Sequence, residues 1–138
     1  MNRARIVLAD DHVEMRERVK RHLEDEFEVL ESVENGAALL DSAERLQPDL
    51  CLLDISMPVL NGIETANRLK QNGSTAKVVF LTIHEDKDFV QAALKTGALG
   101  YVLKRRMVSD LRLAIKEALA GRTFVSSSIS YVIPLLPE

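Results

Sequence analysis

The run Asp49-Leu50-Cys51-Leu52-Leu53-Asp54 places four consecutive apolar residues between two aspartates. Short apolar runs without polar alternation are typical of strands that are buried on both faces of a parallel sheet. We therefore expect residues 49–53 to form a central strand, with Asp54 at its carboxyl end.

Outward from this run, short apolar stretches alternate with longer amphipathic ones. The short stretches predict four more strands, at residues 4–9, 27–33, 77–81 and 99–103. The amphipathic stretches predict five helices, at residues 13–24, 36–46, 63–71, 87–96 and 108–120. This alternation indicates an α/β fold, a doubly wound parallel sheet of five strands inside a three-layer sandwich. The strand order 2-1-3-4-5 fits five such units, although periodicity alone does not fix it.

The composition is that of an ordinary globular domain, with 46% hydrophobic residues, 28% charged residues and a net charge of −3. A negative net charge argues against this segment gripping nucleic acid by itself. The single cysteine, Cys51, lies within the apolar run and is expected to be a buried hydrophobe. No apolar stretch reaches the ~20 residues of a membrane-spanning helix, and the run at residues 6–9 is too short for a signal peptide. We therefore expect a cytoplasmic protein that does not contact a membrane.

Polar residues follow four of the predicted strands: Asp10 and Asp11 the first, Asp54 the third, Thr82 the fourth and Lys104 the fifth. Open parallel sheets bind ligands beyond the carboxyl ends of their strands. In the order 2-1-3-4-5 these four strands are neighbours, so the five side chains are expected to meet at one edge of the sheet.

Such a cluster suits phosphoryl transfer. Two like charges about 4 Å apart cost roughly 4 kcal/mol at an effective dielectric near 20, so three carboxylates need a cation. Mg²⁺ prefers oxygen ligands, and binds through one or two carboxylates plus a phosphate oxygen. Lys104 offers a point charge for a phosphoryl oxygen, and Thr82 offers a hydroxyl. A carboxylate can accept a phosphoryl group, and Asp54 is the best candidate because it is the central one.

Each of these residues also has an ordinary structural interpretation. Asp10 and Asp11 could only begin a loop or cap the following helix, Thr82 could be a cap, and Lys104 could be a solvated charge. Their joint placement at four strand ends favours a common site over four separate accidents.

Four motifs together resemble the receiver domain of bacterial two-component response regulators. They are Ile6-Val7-Leu8-Ala9-Asp10-Asp11-His12, Leu53-Asp54-Ile55-Ser56-Met57-Pro58 with Asn61-Gly62, Leu81-Thr82, and Gly100-Tyr101-Val102-Leu103-Lys104. The resemblance covers about residues 4–121. The wording Leu81-Thr82-Ile83-His84-Glu85 and Ala120-Gly121-Arg122-Thr123-Phe124 is similar to the NarL/FixJ (LuxR-type) branch.

The resemblance implies a flavodoxin-like (CheY-like) fold and assigns roles to the cluster. Asp54 would be the phosphoacceptor, with Thr82 and Lys104 in contact with the phosphoryl group. Mg²⁺ would be held by Asp11 directly, by Asp10 mostly through water, by Asp54, and by the backbone carbonyl of Ser56.

The resemblance also implies a switch and its partners. Thr82 and Tyr101 match the switch positions, although Tyr101 could equally be a half-buried strand aromatic. Pro58 and Gly62 would shape the loop over the site. The phosphoryl donor would be a sensor histidine kinase or a small acyl phosphate. The chain would catalyse only its own phosphorylation and dephosphorylation, and would form a phosphorylation-dependent homodimer.

Residues 1–122 are accordingly expected to be the receiver domain. Serines and two prolines predict a linker or C-terminal tail over residues 123–138, whose apolar residues could dock on the domain or on a partner. The NarL/FixJ branch usually carries a helix-turn-helix domain after this linker. The chain stops at Glu138, so DNA would be bound only through an output domain absent from it, unless the protein is a receiver-only signalling protein.

Two departures from the family pattern carry hypotheses. Ile83 is bulkier than the small residue that many receivers have after the threonine, and we expect it to restrict access to the phosphoryl site and slow phosphoryl loss. Arg105 and Arg106 follow Lys104 where a proline, an acidic or a small residue is usual. They would form a solvated face or a partner contact.

Three other functions compete with this interpretation. An aspartate-dependent phosphatase of the dehalogenase type usually has a second Asp two residues after the nucleophile, where this chain has Ser56. A phosphate-independent interaction module has no need of the intact strand-end residues. A flavin-binding protein would have a Gly-rich or Ser/Thr-rich phosphate loop after the first strand, and none is present.

Overall fold

Five strand–helix units follow one another in the computed structural model, which describes residues 3–127 and 129. In chain order the elements are β1 (Arg5–Ala9), α1 (Val13–Leu23), β2 (Glu28–Val33), α2 (Gly36–Leu46), β3 (Leu50–Leu53), α3 (Gly62–Gln71), β4 (Lys77–Thr82), α4 (Lys87–Lys95), β5 (Gly100–Leu103), a 3₁₀ turn (Lys104–Arg106), α5 (Met107–Leu119) and β6 (Phe124–Val125). Every predicted strand and helix is present, with ends that differ from the prediction by one or two residues.

The strands form one parallel sheet in the order β2-β1-β3-β4-β5-β6. The doubly wound order that fitted five units is therefore confirmed. β3 lies at the centre, with Leu53 paired to Ala9 of β1 on one side and to Phe80 of β4 on the other. This register sets the ends of β1, β3 and β4 close together at the carboxyl edge.

Two apolar cores lie on opposite faces of the sheet, as a three-layer sandwich requires. Cys51 and Leu53 point into the core covered by α2, α3 and α4, whereas Leu50 and Leu52 point into the core covered by α1 and α5. All four residues of β3 are fully buried. Burial of such side chains contributes roughly 1.5–3 kcal/mol each, which explains why this strand occupies the centre.

The sheet has one strand more than predicted. Phe124 and Val125 form a short parallel strand, β6, paired to Gly100 and Tyr101 of β5. The sequence had indicated a linker or tail from residue 123 onward, because a two-residue strand is too short to show alternation and serines follow it. The apolar residues of the tail, from Tyr131 onward, lie outside the described residues.

Among residues 3–127 and 129, none of the helices has the length and apolar character needed to cross a membrane.

Candidate functional site

The side chains that the sequence placed at four strand ends lie together at the carboxyl edge of the sheet. Asp10 and Asp54 follow β1 and β3 and are only 1% and 4% exposed, and Thr82 at the end of β4 is fully buried. Asp11 is exposed. Lys104 follows β5 directly, and its ammonium group lies between two carboxylates, 2.8 Å from Asp10 Oδ2 and 3.1 Å from Asp54 Oδ2.

Both buried carboxylates have fixed orientations, because each uses one oxygen for Lys104 and the other for a backbone amide. Asp54 Oδ1 accepts a hydrogen bond from the Ile55 amide at 2.7 Å, and Asp10 Oδ1 accepts one from the His12 amide at 2.9 Å. The guanidinium of Arg16 donates to the backbone carbonyl of Asp10 at 2.7 Å, which anchors the end of β1 to α1.

The electrostatics of the cluster work against a fully charged Asp54. Burial raises the pKa of the Asp54 carboxyl, Lys104 lowers it, Asp10 raises it again, and the net pKa is above its ordinary value. Burial alone would lower the pKa of Lys104, but its hydrogen bond and charge interactions with Asp10 and Asp54 outweigh this effect and raise it. Lys104 therefore stays protonated, and its single charge is shared between two acids.

The donor set fits a hard divalent cation. Ligand atoms of Asp10, Asp11, His12 and Asp54 all lie within 4.8 Å of one another. Three carboxylates facing one lysine leave an excess of negative charge, and carboxylate oxygens are the ligands that Mg²⁺ prefers. His12 was quoted in the sequence only within a motif, yet its Nδ1 lies 3.1 Å from Asp11 Oδ1 and 3.3 Å from Asp10 Oδ1.

The loop from β3 to α3 borders this cluster, and its backbone depends on Pro58 and Gly62. The Leu60 amide donates to the Pro58 carbonyl at 2.7 Å around Val59, whose φ of 70° is rare for a β-branched residue. The Gly62 amide donates to the Ile55 carbonyl at 2.7 Å, and a Cβ on Gly62 would lie 2.0 Å from the Asp54 carbonyl oxygen. Only glycine allows this approach.

Sequence reasoning missed a second glycine of the same kind. A Cβ on Gly36, at the start of α2, would lie 1.9 Å from Thr65 Oγ1 and 2.5 Å from the Leu60 carbonyl oxygen. The Gly36 amide donates to that carbonyl at 3.2 Å. Gly36 therefore lets α2 pack against the loop that carries Pro58. A glycine just after the helix cap Asn35 was the only available signal.

The most connected residue that the sequence did not indicate is His84, in the loop after β4. Its backbone amide donates to Thr82 Oγ1 at 3.2 Å, and its carbonyl accepts a hydrogen bond from the Tyr101 hydroxyl at 2.8 Å. Its ring Nε2 lies 2.7 Å from Ser56 Oγ, and the ring stacks on Phe89 with centroids 4.3 Å apart. His84 thus joins the loops after β3 and β4 to both predicted switch residues.

Tyr101 is fully buried rather than half-buried. Ile83, by contrast, is 70% exposed beside Thr82. Arg105 forms an ion pair with Glu85 at 2.8 Å, so it connects the loops after β4 and β5 instead of being a free solvated charge. Arg106 Nε lies 3.5 Å from Asp110 Oδ2 at the start of α5.

Comparisons with known proteins point in one direction. The family description "Response regulator receiver domain" matches residues 6–116. The chain is 39% identical over 132 residues to "Transcriptional regulatory protein DegU" of Brevibacillus brevis, and 36% identical over 132 residues to "Nitrate/nitrite response regulator protein NarL" of Escherichia coli. These matches cover 94% of this chain but only 56% and 61% of those relatives, so the chain spans little more than half of their length.

A solved structure of a two-component response regulator of the LuxR family, from Aurantimonas sp. SI85-9A1, has a similar fold. It superposes with a TM-score of 0.90 at 30% identity, and the match covers 97% of each chain.

Proposed function

Since this chain belongs to the response regulator receiver domain family, we propose that it accepts a phosphoryl group on Asp54 and acts as a switch in two-component signalling. One observation carries the proposal: Asp54 is a buried carboxylate at the end of the central strand, 3.1 Å from the ammonium group of Lys104. That arrangement combines a nucleophile with a positive charge for the transferred group.

In the proposed reaction, a carboxylate oxygen of Asp54 attacks the phosphorus of the donor, either a phosphohistidine of a sensor histidine kinase or a small acyl phosphate. A phosphorus–oxygen bond to Asp54 forms, while the bond from phosphorus to the donor nitrogen or acyl oxygen breaks with its electron pair. Lys104 would neutralise one phosphoryl oxygen, and the Thr82 hydroxyl would donate to another. The chain catalyses only its own phosphorylation and the later hydrolysis of the acyl phosphate.

Asp10, Asp11, Asp54 and the backbone carbonyl of Ser56 would hold Mg²⁺. When bound, the ion supplies positive charge that offsets the negative charge of the phosphoryl oxygens. The cluster of carboxylates within 4.8 Å of one another supports this assignment, because one lysine cannot balance them. Asp11 is the exposed member and faces the same groove as Ser56, Met57 and Pro58, through which a donor can approach.

The decisive experiment is incubation with acetyl phosphate and Mg²⁺, followed by mass spectrometry of the intact chain. We expect the wild-type chain to gain one phosphoryl group, Asp54→Asn to gain none, and chelation of Mg²⁺ by EDTA to abolish the gain. Asp41→Asn, at an exposed aspartate on α2, is the matched control and should be labelled like the wild type. Equal labelling of Asp54→Asn and Asp41→Asn would contradict the proposal.

Phosphorylation would act as a switch through His84. The phosphoryl group takes Asp54 from −1 to about −2 and offers new acceptor oxygens. Hydrogen bonds to charged groups contribute about 1.5–3 kcal/mol, so the Thr82 hydroxyl has reason to turn toward the phosphoryl group and release the His84 amide. His84 also holds the Tyr101 hydroxyl and lies against Ser56 and Phe89, so its release would loosen both neighbouring loops.

The proposed output is phosphorylation-dependent association, with control of transcription through a DNA-binding part as the name of the DegU relative suggests. The surface of α4, β5 and α5, or that of α1 and α5, is the proposed homodimer contact. Val108 and Leu113 expose apolar side chains on α5. Analytical ultracentrifugation with Mg²⁺ and beryllofluoride, a phosphoryl mimic, should show dimers that are absent without it, and identical monomeric profiles would defeat this part of the proposal.

A further inference from the structure

The segment after α5 is fastened to the sheet by a buried serine that has no part in the proposed chemistry. Ser126 is fully buried, and its hydroxyl donates to Asp110 Oδ2 at 2.8 Å while accepting from the Leu103 amide at 3.2 Å. Its own amide donates to the Tyr101 carbonyl at 3.0 Å. Ser126 is therefore bonded to two residues of β5 and to the first turn of α5.

Asp110 accounts for the other end of this contact. Its carboxylate is buried in the first turn of α5, where the helix dipole favours a negative charge. Ser109 Oγ donates to Oδ1 at 3.0 Å, and Ser126 supplies the hydrogen bond to Oδ2. Because a buried carboxylate needs its hydrogen bonds, removing the Ser126 hydroxyl leaves Asp110 under-bonded and the Leu103 amide without its acceptor.

The groups that Ser126 binds are the immediate neighbours of the phosphoryl site. Leu103 precedes Lys104, whose ammonium group binds Asp10 and Asp54. Tyr101 is the residue whose hydroxyl holds the His84 carbonyl. Ile129, fully buried, packs in the same core as Tyr101 and Leu103. The segment at residues 124–129 thus grips β5 at the residues that place Lys104 and Tyr101.

We propose that Ser126 is a positioning residue of the phosphoryl site, and that docking of residues 124–129 on β5 is linked to phosphoryl binding at Asp54. The docked arrangement is the one in which Lys104 reaches Asp54, so docking and phosphoryl binding favour each other. Linkage is reciprocal: whatever docking contributes to phosphoryl affinity, phosphoryl binding contributes to docking. This inference rests on the proposed function, and its test separates the two.

The test compares Ser126→Ala with Ser127→Ala, which removes an exposed hydroxyl at the neighbouring position. Amide hydrogen exchange is measured by NMR, first without any phosphoryl mimic. We expect exchange of the Leu103 amide to become on the order of tenfold faster in Ser126→Ala and to stay unchanged in Ser127→Ala, with β3 amides unchanged in both. If Ser126→Ala does not fold, Asp110→Asn keeps the side-chain volume and weakens the same hydrogen bond.

The second measurement is binding of beryllofluoride with Mg²⁺ by the same proteins. We expect on the order of fivefold weaker binding by Ser126→Ala than by Ser127→Ala, and slower exchange of the Val125 and Ser126 amides in the wild type once beryllofluoride is bound. A purely structural serine would speed exchange without changing affinity, and that result would overturn the linkage. Unchanged Leu103 exchange in Ser126→Ala would overturn the docking contact. Failure of Ser127→Ala and the wild type to bind beryllofluoride would overturn the proposed function together with this inference.

Discussion

Replacement of Lys104 by methionine tests the electrostatic account of the site. Methionine keeps the length of the side chain but removes the only ammonium group that contacts the buried carboxylates of Asp10 and Asp54 among the described residues. Since both acids are almost fully buried, Lys104→Met leaves them facing each other without compensation. We expect a large loss of stability at neutral pH in the absence of divalent metal.

The magnitude follows from the distances. At an effective dielectric near 20, an ammonium group 2.8 Å from one carboxylate and 3.1 Å from another gains about 6 and about 5 kcal/mol. The desolvation of the three ions offsets part of this gain at several kcal/mol per ion. Measured losses for breaking buried ion pairs, about 3–5 kcal/mol, are therefore the expected decrease in the free energy of unfolding.

Urea denaturation in EDTA at pH 7 measures this loss, with Lys95→Met, at an exposed lysine of α4, as the matched control. Mg²⁺ should restore part of the stability of Lys104→Met, by about 2.7 kcal/mol at a concentration a hundred times its Kd. The deficit should also shrink as pH falls, because loss of Lys104 raises the folded-state pKa of the carboxyls above the unfolded value. Stability gained by protonation is then present below the unfolded pKa and lost as pH rises through the folded one.

Two results would refute this reasoning. The first is a loss in Lys104→Met no larger than that in Lys95→Met, which would mean that the lysine does not compensate buried charge. The second is an equal gain from Mg²⁺ in Lys104→Met and the wild type, which would mean that the lysine and the metal ion do not act on the same carboxylates.

Three further predictions concern single residues around the site. Because the pKa of Asp54 is raised in the folded state, its ionised form destabilises the fold, so Asp54→Asn should be more stable than the wild type by on the order of 1 kcal/mol at pH 8 in EDTA; urea denaturation should show this gain vanishing toward pH 4. Gly62→Ala should lose about 3 kcal/mol or more, since its Cβ would overlap the Asp54 carbonyl, whereas Gly73→Ala, strained by its φ of 78° but unobstructed, should lose about 1–2 kcal/mol in the same assay. Ile83→Ala should lose its phosphoryl group faster than the wild type in a radiolabel decay assay, with Val108→Ala as an equally exposed control, and an unchanged rate would contradict a shielding role for Ile83.

The residues at the strand ends could be predicted because a parallel sheet places them by rule. The ladder pairs Leu53 with Ala9 and with Phe80, and Thr82 with Leu103. Asp10, Asp54 and Lys104 each follow a paired residue directly, so their meeting needs no knowledge of the loops. Five apolar runs and the topology rule for doubly wound sheets were sufficient for this part of the site.

Residues that act through loops could not be predicted in this way. His84 lies 28 positions after Ser56 in the chain, and nothing local indicates that its ring would lie 2.7 Å from the Ser56 hydroxyl. Ser126 lies in a cluster of serines that is typical of a linker, and only the sheet edge beside β5 makes it a buried residue. Gly36 shows its purpose only when α2 meets the loop from β3 to α3.

The division has a consequence for how such sites can differ from one another. Backbone ladders fix the nucleophile, the metal-binding carboxylates and the lysine, because a shift of one residue in any strand would turn side chains to the opposite face and break both cores. The loop residues His84, Ile83 and Ser56 are held only by one another and by Phe89, so they can change without a change of fold. The chemistry of phosphoryl acceptance is therefore tied to the sheet, whereas its duration and its transmission through Tyr101 and Ser126 depend on contacts that substitutions outside the strand ends can adjust.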